Sequence, residues 1–226
     1  MAQGAGAHGR MYRGVDTEQR RAERRERLLE AALDEFTSRG YHKTKIADLC
    51  AKAGVSTRNF YEKFASKEAL LLELHAHINT VAMKRMLPVL ESLGDADALT
   101  RITTLVDAFV SAVTSDPRYP RLNYVEAPGI SQAMERQHQE WFKRYVDFIT
   151  AECERVVVAG LAPERDYRLT AIALVGAVTG LVREWQAHDP PLPVTDVATE
   201  IREIFIAAIT RPVQLRATGA SEPSAT

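Results

Sequence analysis

Apolar residues recur along the chain with helical spacing, and no stretch alternates with the period of two that marks a half-buried strand. Leu29, Ala32, Leu33 and Phe36 form the first stripe, on a helix predicted to begin near Asp16 or Thr17 and to close at Gly40. Two short helices are predicted within residues 44–70. Ile46, Leu49 and Cys50 give the first an apolar face, and Thr44 stands where a threonine oxygen can cap it. Gly54 falls where a helix can end in a left-handed residue at little steric cost. Val55 can plug the space between the two helices, and Ser56 can cap the second. Phe60 and Phe64, four apart, face inward together, which leaves Thr57, Arg58, Asn59, Tyr61 and Lys63 to point outward. This is the layout of a helix-turn-helix.

The same reading continues through the rest of the chain. Ser66 and Lys67 open a fourth helix that Leu70, Leu71, Leu74, Ile78 and Val81 sustain and Pro88 is expected to stop. Leu99, Ile102, Val106, Phe109, Val110 and Val113 predict a fifth, ended at Asp116 and Pro117. Three prolines in residues 117–129 allow only a short helix or an ordered loop there. Further helices are expected over about 131–158, 163–188 and 195–210, with residues 189–193 a firm stop between the last two. The fold class is all-α with about nine helices. Residues 1–16 are expected to be a disordered basic arm, 17–66 a three-helix helix-turn-helix domain, 67–210 a helical effector-binding and dimerisation domain, and 211–226 a disordered tail.

Composition narrows the class without naming a function. Hydrophobic content of 46% is ordinary for a globular protein, and no apolar run reaches the length of a membrane span. The first residues carry no secretory pattern, and Cys50 and Cys153 sit in apolar helical patterns, so both are expected to be reduced core residues of a cytoplasmic protein. Charge is segregated: residues 1–67 hold 14 Lys and Arg against 9 Asp and Glu, whereas the remainder holds 15 against 21. A basic end beside an acidic body suits a nucleic-acid contact at the former.

The run Ile46-Ala47, then Ala53-Gly54-Val55-Ser56, then Phe60-Tyr61, Phe64 and Ser66-Lys67-Glu68-Ala69-Leu70 resembles the DNA-binding domain of TetR-type transcriptional regulators, over roughly residues 20–75. Arg58 departs from the family, many members of which have glycine at that place. The resemblance implies that Thr44, Tyr61, Lys63 and Lys67 contact DNA backbone or bases. Residue chemistry adds Lys45, at the start of a helix where free N–H groups attract phosphate, and Thr57, Arg58 and Asn59 as base readers. Arg pairs bidentately with guanine and Asn with adenine. A helix-turn-helix reads only a few base pairs, so a two-fold dimer on a palindromic operator in double-stranded DNA is expected.

For that homodimer, the eighth and ninth helices supply candidate faces: Leu169, Ile172, Ala173, Gly176, Ala177 and Gly180 on one, and Ile201, Ile204, Phe205 and Ala208 on the other. The resemblance also implies release from DNA by a small molecule. Candidate walls for its pocket are Phe109, Tyr119, Tyr124, Met134, Trp141, Phe142, Tyr145 and Trp185, with Glu126 and His138 as the polar groups. Such walls call for a mainly apolar or aromatic effector. No cofactor is expected. Enzyme signatures are missing: the sequence holds no Gly-x-Ser-x-Gly, phosphate loop or dinucleotide fingerprint. His75 and His77, two apart on a helix, face different ways, and Glu73 with His77 makes too few ligands for a metal. The expectation is a repressor; the alternatives are an activator or an effector-independent DNA-binding factor.

Overall fold

The computed structural model describes residues 6–188 and 192–210. Nine α-helices and one π-helical turn account for the regular structure of these residues: α1 (Gly6–Arg39), α2 (Ile46–Ala53), α3 (Thr57–Tyr61), α4 (Lys67–Glu91), α5 (Ala98–Thr114), α6 (Arg118–Arg121), the π-helical turn (Leu122–Glu126), α7 (Gln132–Val158), α8 (Arg168–Ala187) and α9 (Val194–Thr210).

The punctuation of the first three helices follows the local chemistry. Gly40 ends α1 at φ 87°, its N–H donating to Phe36 O at 3.1 Å. Gly54 ends α2 at φ 61° in the left-handed region. Ser56 caps α3 by accepting from the Asn59 N–H at 3.1 Å. Phe60 and Phe64 are both buried, with ring centroids 5.8 Å apart. They share one core with Leu28, Leu33 and Phe36 of α1, Leu49 of α2 and Leu70, Leu71, Leu74 and Ile78 of α4. Leu122, Ala127 and Met134 close that core from the C-terminal side, so the head is not packed on its own. The second core lies among α4, α5, α7, α8 and α9, where Met86, Leu105, Val146, Leu174, Ile201 and Phe205 meet. Helix α4 therefore contributes to both cores: its first half to the head, its second to the body.

Three sequence expectations change. Helix α1 begins at Gly6, ten residues before Asp16, so residues 6–16 are helical and not a disordered arm; extending an existing helix needs no new nucleus, which lets a glycine-rich flank join it. Residues 1–5, 189–191 and the expected tail at 211–226 lie outside the described residues. Pro88 sits inside α4 and does not stop it, because it falls in the exposed last turns, where water can serve the carbonyl that its missing N–H leaves free. Thr44 does not cap α2: the capping position belongs to Lys45, whose own N–H donates to Asp48 Oδ2 at 3.1 Å. Thr44 is buried and its hydroxyl donates back to Gly40 O at 2.9 Å.

Phe60 is fully buried at the centre of the head. Phe60→Ala should cost about 3–5 kcal/mol through the cavity it leaves, measured as a lowered urea midpoint with an unchanged transition slope.

Candidate functional site

The turn between α2 and α3 sets which side chains of the head reach solvent. With Phe60 turned inward, Thr57, Arg58, Tyr61 and Lys63 are exposed and Asn59 is half-buried. Arg58 is 88% exposed and pairs at 3.3 Å with Glu62 one turn on, a contact weak enough for a phosphate or base to displace. Lys45 is exposed at the start of α2. Two of the eight candidate contacts are differently placed. Thr44 is buried with its hydroxyl committed to the head's own backbone, which corrects its expected place on the contact surface. Lys67 is half-buried: its ammonium donates to Tyr41 O at 2.7 Å and Thr44 O at 2.8 Å and lies 4.1 Å from the centre of the Tyr41 ring. Burial holds it below the ordinary lysine value. Lys67 ties the start of α4 to the α1–α2 turn, and one N–H remains for an anion.

Behind the head lies a cavity of about 720 Å³, its open mouth included. Five of the predicted wall residues meet there: Phe109, Tyr124, Trp141, Phe142 and Tyr145, with His138 as the predicted polar group. Four expectations fail. Met134 and Tyr119 pack with the head core and do not line the cavity. Glu126 is held by Arg121 at 3.1 Å. Trp185 turns its ring N–H to Leu192 O at 2.9 Å and is not part of the wall. Met86, Leu105, Val106, Phe148, Ile149, Val175, Val178, Ile201 and Phe205 complete the apolar lining.

The polar end was not foreseen from the sequence. His75 and Asn79, one turn apart on α4, are both buried and line the cavity. Gln137 Nε2 donates to Leu72 O at 2.7 Å and to His75 Nδ1 at 2.9 Å, and Asn79 Nδ2 donates to His75 O at 2.8 Å. Tyr145 donates to Asn79 Oδ1 at 3.2 Å. Burial, with His138 beside it, pushes His75 down to about 4, so the ring is neutral near pH 7. The available signal was two polar residues at core positions of an otherwise apolar stripe.

The cavity wall and the head are joined by one short segment. Asn123 and Tyr124 of the π-helical turn line the cavity. A few residues earlier, Arg118 pairs with Glu30 at 2.7 Å and Asp34 at 3.5 Å on α1, braced by Asp116 at 2.6 Å. Arg121 donates to Thr37 O at 2.9 Å, at the end of α1. Lys52 of α2 also pairs with Asp34 and with Glu35, and its hydrogen bonds hold both carboxyls below the usual carboxylate range. The stabilisation they add is present at neutral pH and is lost as pH falls through those lowered values.

On the outer face of α8, Leu169 is 78% exposed and Ile172, Ala173, Gly176 and Gly180 are exposed beside it, with Ala177 half-buried. Open space lies beyond both glycines. Of the α9 residues expected on a dimer face, Ile201 and Phe205 are instead buried in the body core, because α9 packs against α5 and α8 of its own chain; Ile204 and Ala208 are partly buried there.

The family model for bacterial regulatory proteins of the tetR family matches residues 28–74, which span α2, α3 and the adjoining parts of α1 and α4. Residues 28–74 are thus a TetR-type DNA-binding domain. The chain is similar to the transcriptional activator FasR of Mycolicibacterium smegmatis, 29% identical over 178 residues that cover 76% of each chain. It is also similar to the regulator YdgC of Bacillus subtilis, 30% identical over 114 residues, 49% of this chain and 57% of that one. In fold it resembles the Bacillus subtilis regulator FadR solved with stearoyl-CoA, with a TM-score of 0.73 at 19% identity, over 81% of this chain and 98% of that one. With that domain and these relatives, the chain is a DNA-binding transcriptional regulator and not an enzyme.

Lys67 and Lys63 differ in how they are held, and their variants should differ likewise. Lys67→Met is expected to lower both the melting temperature and operator affinity, since two carbonyls lose their donor. Lys63→Ala should leave the melting temperature unchanged and reduce the slope of log affinity against log salt by about one.

Proposed function

We propose that the protein is a dimeric repressor that holds a palindromic operator and lets it go when a small, mainly apolar or aromatic molecule enters the cavity behind the head. The observation that carries this reading is the segment of residues 118–126, which lines the cavity with Asn123 and Tyr124 and grips α1 with Arg118 and Arg121. A ligand that favours a different position of the π-helical turn also favours a different position of the head. Helix α4 gives a second route, since His75 and Asn79 face the cavity while Lys67 holds the α1–α2 turn. In a dimer, such movements change the spacing of the two α3 helices, which must match successive major grooves. The exposed apolar face of α8 supports the dimer, and the apolar lining supports the class of effector. The Bacillus subtilis neighbour was solved with stearoyl-CoA, a molecule with a long apolar chain, which supports a largely apolar effector.

Activation is the second reading, favoured by the similarity to an activator over three quarters of the chain. A reporter carrying the protected promoter separates the two: deletion of the regulator raises expression under repression and lowers it under activation.

Footprinting of the neighbouring promoter should show a palindromic site, and an effector should lower operator affinity by about 5–150-fold. Arg118→Ala should still bind operator and effector but show a smaller release. Full release by Arg118→Ala would remove the clamp from the mechanism.

A further inference from the structure

The cavity's polar groups are matched to one another at one end and unmatched at the other. Tyr145, Asn79, His75 and Gln137 form a bonded chain. Gln137 Nε2 already donates to Leu72 O, so it is a donor toward His75 Nδ1 as well, and the neutral ring carries its proton on Nε2. The side-chain contact on that side is Asn79 Nδ2 at 3.5 Å, itself a donor, so Asn79 gives the imidazole N–H no acceptor. Outside this chain, Asn123 is 7% exposed, lies on the cavity wall, and its Oδ1 is buried without a donor. An unpaired buried carbonyl is costly, and native proteins keep few of them. Among the described residues, no Lys, Arg, Asp or Glu lines the cavity.

Building on the effector reading above, we infer that the cavity takes an uncharged, largely apolar or aromatic molecule bearing a hydroxyl group, whose O–H donates to Asn123 Oδ1. A hydroxyl both donates and accepts, so it answers Asn123 and keeps an oxygen free for a donor of the lining. A hydrocarbon leaves Asn123 Oδ1 unpaired. A carboxylate has no proton for Asn123 and brings a charge that no fixed cation in the wall compensates. Seven aromatic side chains in the lining, among them Phe109, Trp141 and Phe142, give the apolar part flat surfaces to stack on.

The test uses three skeletons, naphthalene, decane and cyclohexane, each as the hydrocarbon, the alcohol and the carboxylate at pH 7.5. Thermal shift and tryptophan fluorescence on the full chain supply the affinities. On at least one skeleton the alcohol is expected to bind about tenfold or more tightly than its hydrocarbon and than its carboxylate. Asn123→Leu should abolish that preference while raising the melting temperature of the ligand-free protein, because an unpaired polar group is removed. Asn123→Ala gives the same loss of preference if leucine does not fit. Carboxylates that bind as tightly as the alcohols, or a preference that survives both substitutions, overturn the inference and leave the effector reading standing. If none of the nine molecules binds, the cavity is not an effector site for this class, and both fall.

Discussion

Arg118 and Arg121 hold the C-terminal body against the first helix of the head, and the rest of the molecule is arranged around that grip. The two arginines reach α1 from a segment too short to form a core of its own. Its backbone is positioned by Leu122 and Ala127, buried in the head core, and by Asn123 on the cavity side. The π-helical turn makes this division possible. With Ala127 N–H reaching back to Leu122 O at 2.9 Å, the wider turn changes the direction in which successive side chains leave the backbone. The head and the body thus meet through polar contacts that can be exchanged and an apolar seam that cannot be separated cheaply. That combination permits small movements of the head without loss of the fold.

Helix α4 runs alongside this grip and belongs to both cores. Arg25 of α1 pairs with Glu73 of α4, a further tie between the same elements. Helix α4 runs without interruption from Lys67 to Glu91, so the cavity-lining His75 and Asn79 and the Lys67 clasp on the α1–α2 turn belong to one element. The buried Arg101–Glu152 pair, 2.8 Å, braces α5 against α7 on the opposite side of the body, where Arg101 also holds Gly94 O.

Much of the head was legible because each of its signals is local. Gly54, Ser56, Phe60 and Phe64 act within one or two turns, and the structure uses them as their chemistry suggests. The failures arose where a side chain's fate depends on a distant partner. Thr44 has the chemistry of a cap, yet the carbonyl of Gly40 lies nearer than the free N–H groups of α2. Ile201 and Phe205 read as an apolar stripe either way, and periodicity is silent on whether that stripe meets a second chain or α5. Glu126 and Met134 were placed at the cavity by their neighbourhood in sequence, but the π-helical turn rotates one towards Arg121 and the head core claims the other. Asn123 was invisible for the opposite reason: a lone asparagine in a proline-rich stretch reads as a loop residue until its burial is known.

The chain has two tryptophans, and the structure separates their surroundings. The Trp141 ring lines the cavity, is almost fully buried and has Arg144 stacked 4.6 Å from its centre. Trp185 is tethered by its ring N–H to Leu192 O, away from the wall. Emission from Trp141 responds to the polarity of whatever stands beside it, while Trp185 supplies a background that does not. The protein thus carries an optical gauge of its own interior, with a reference lamp built into the same chain.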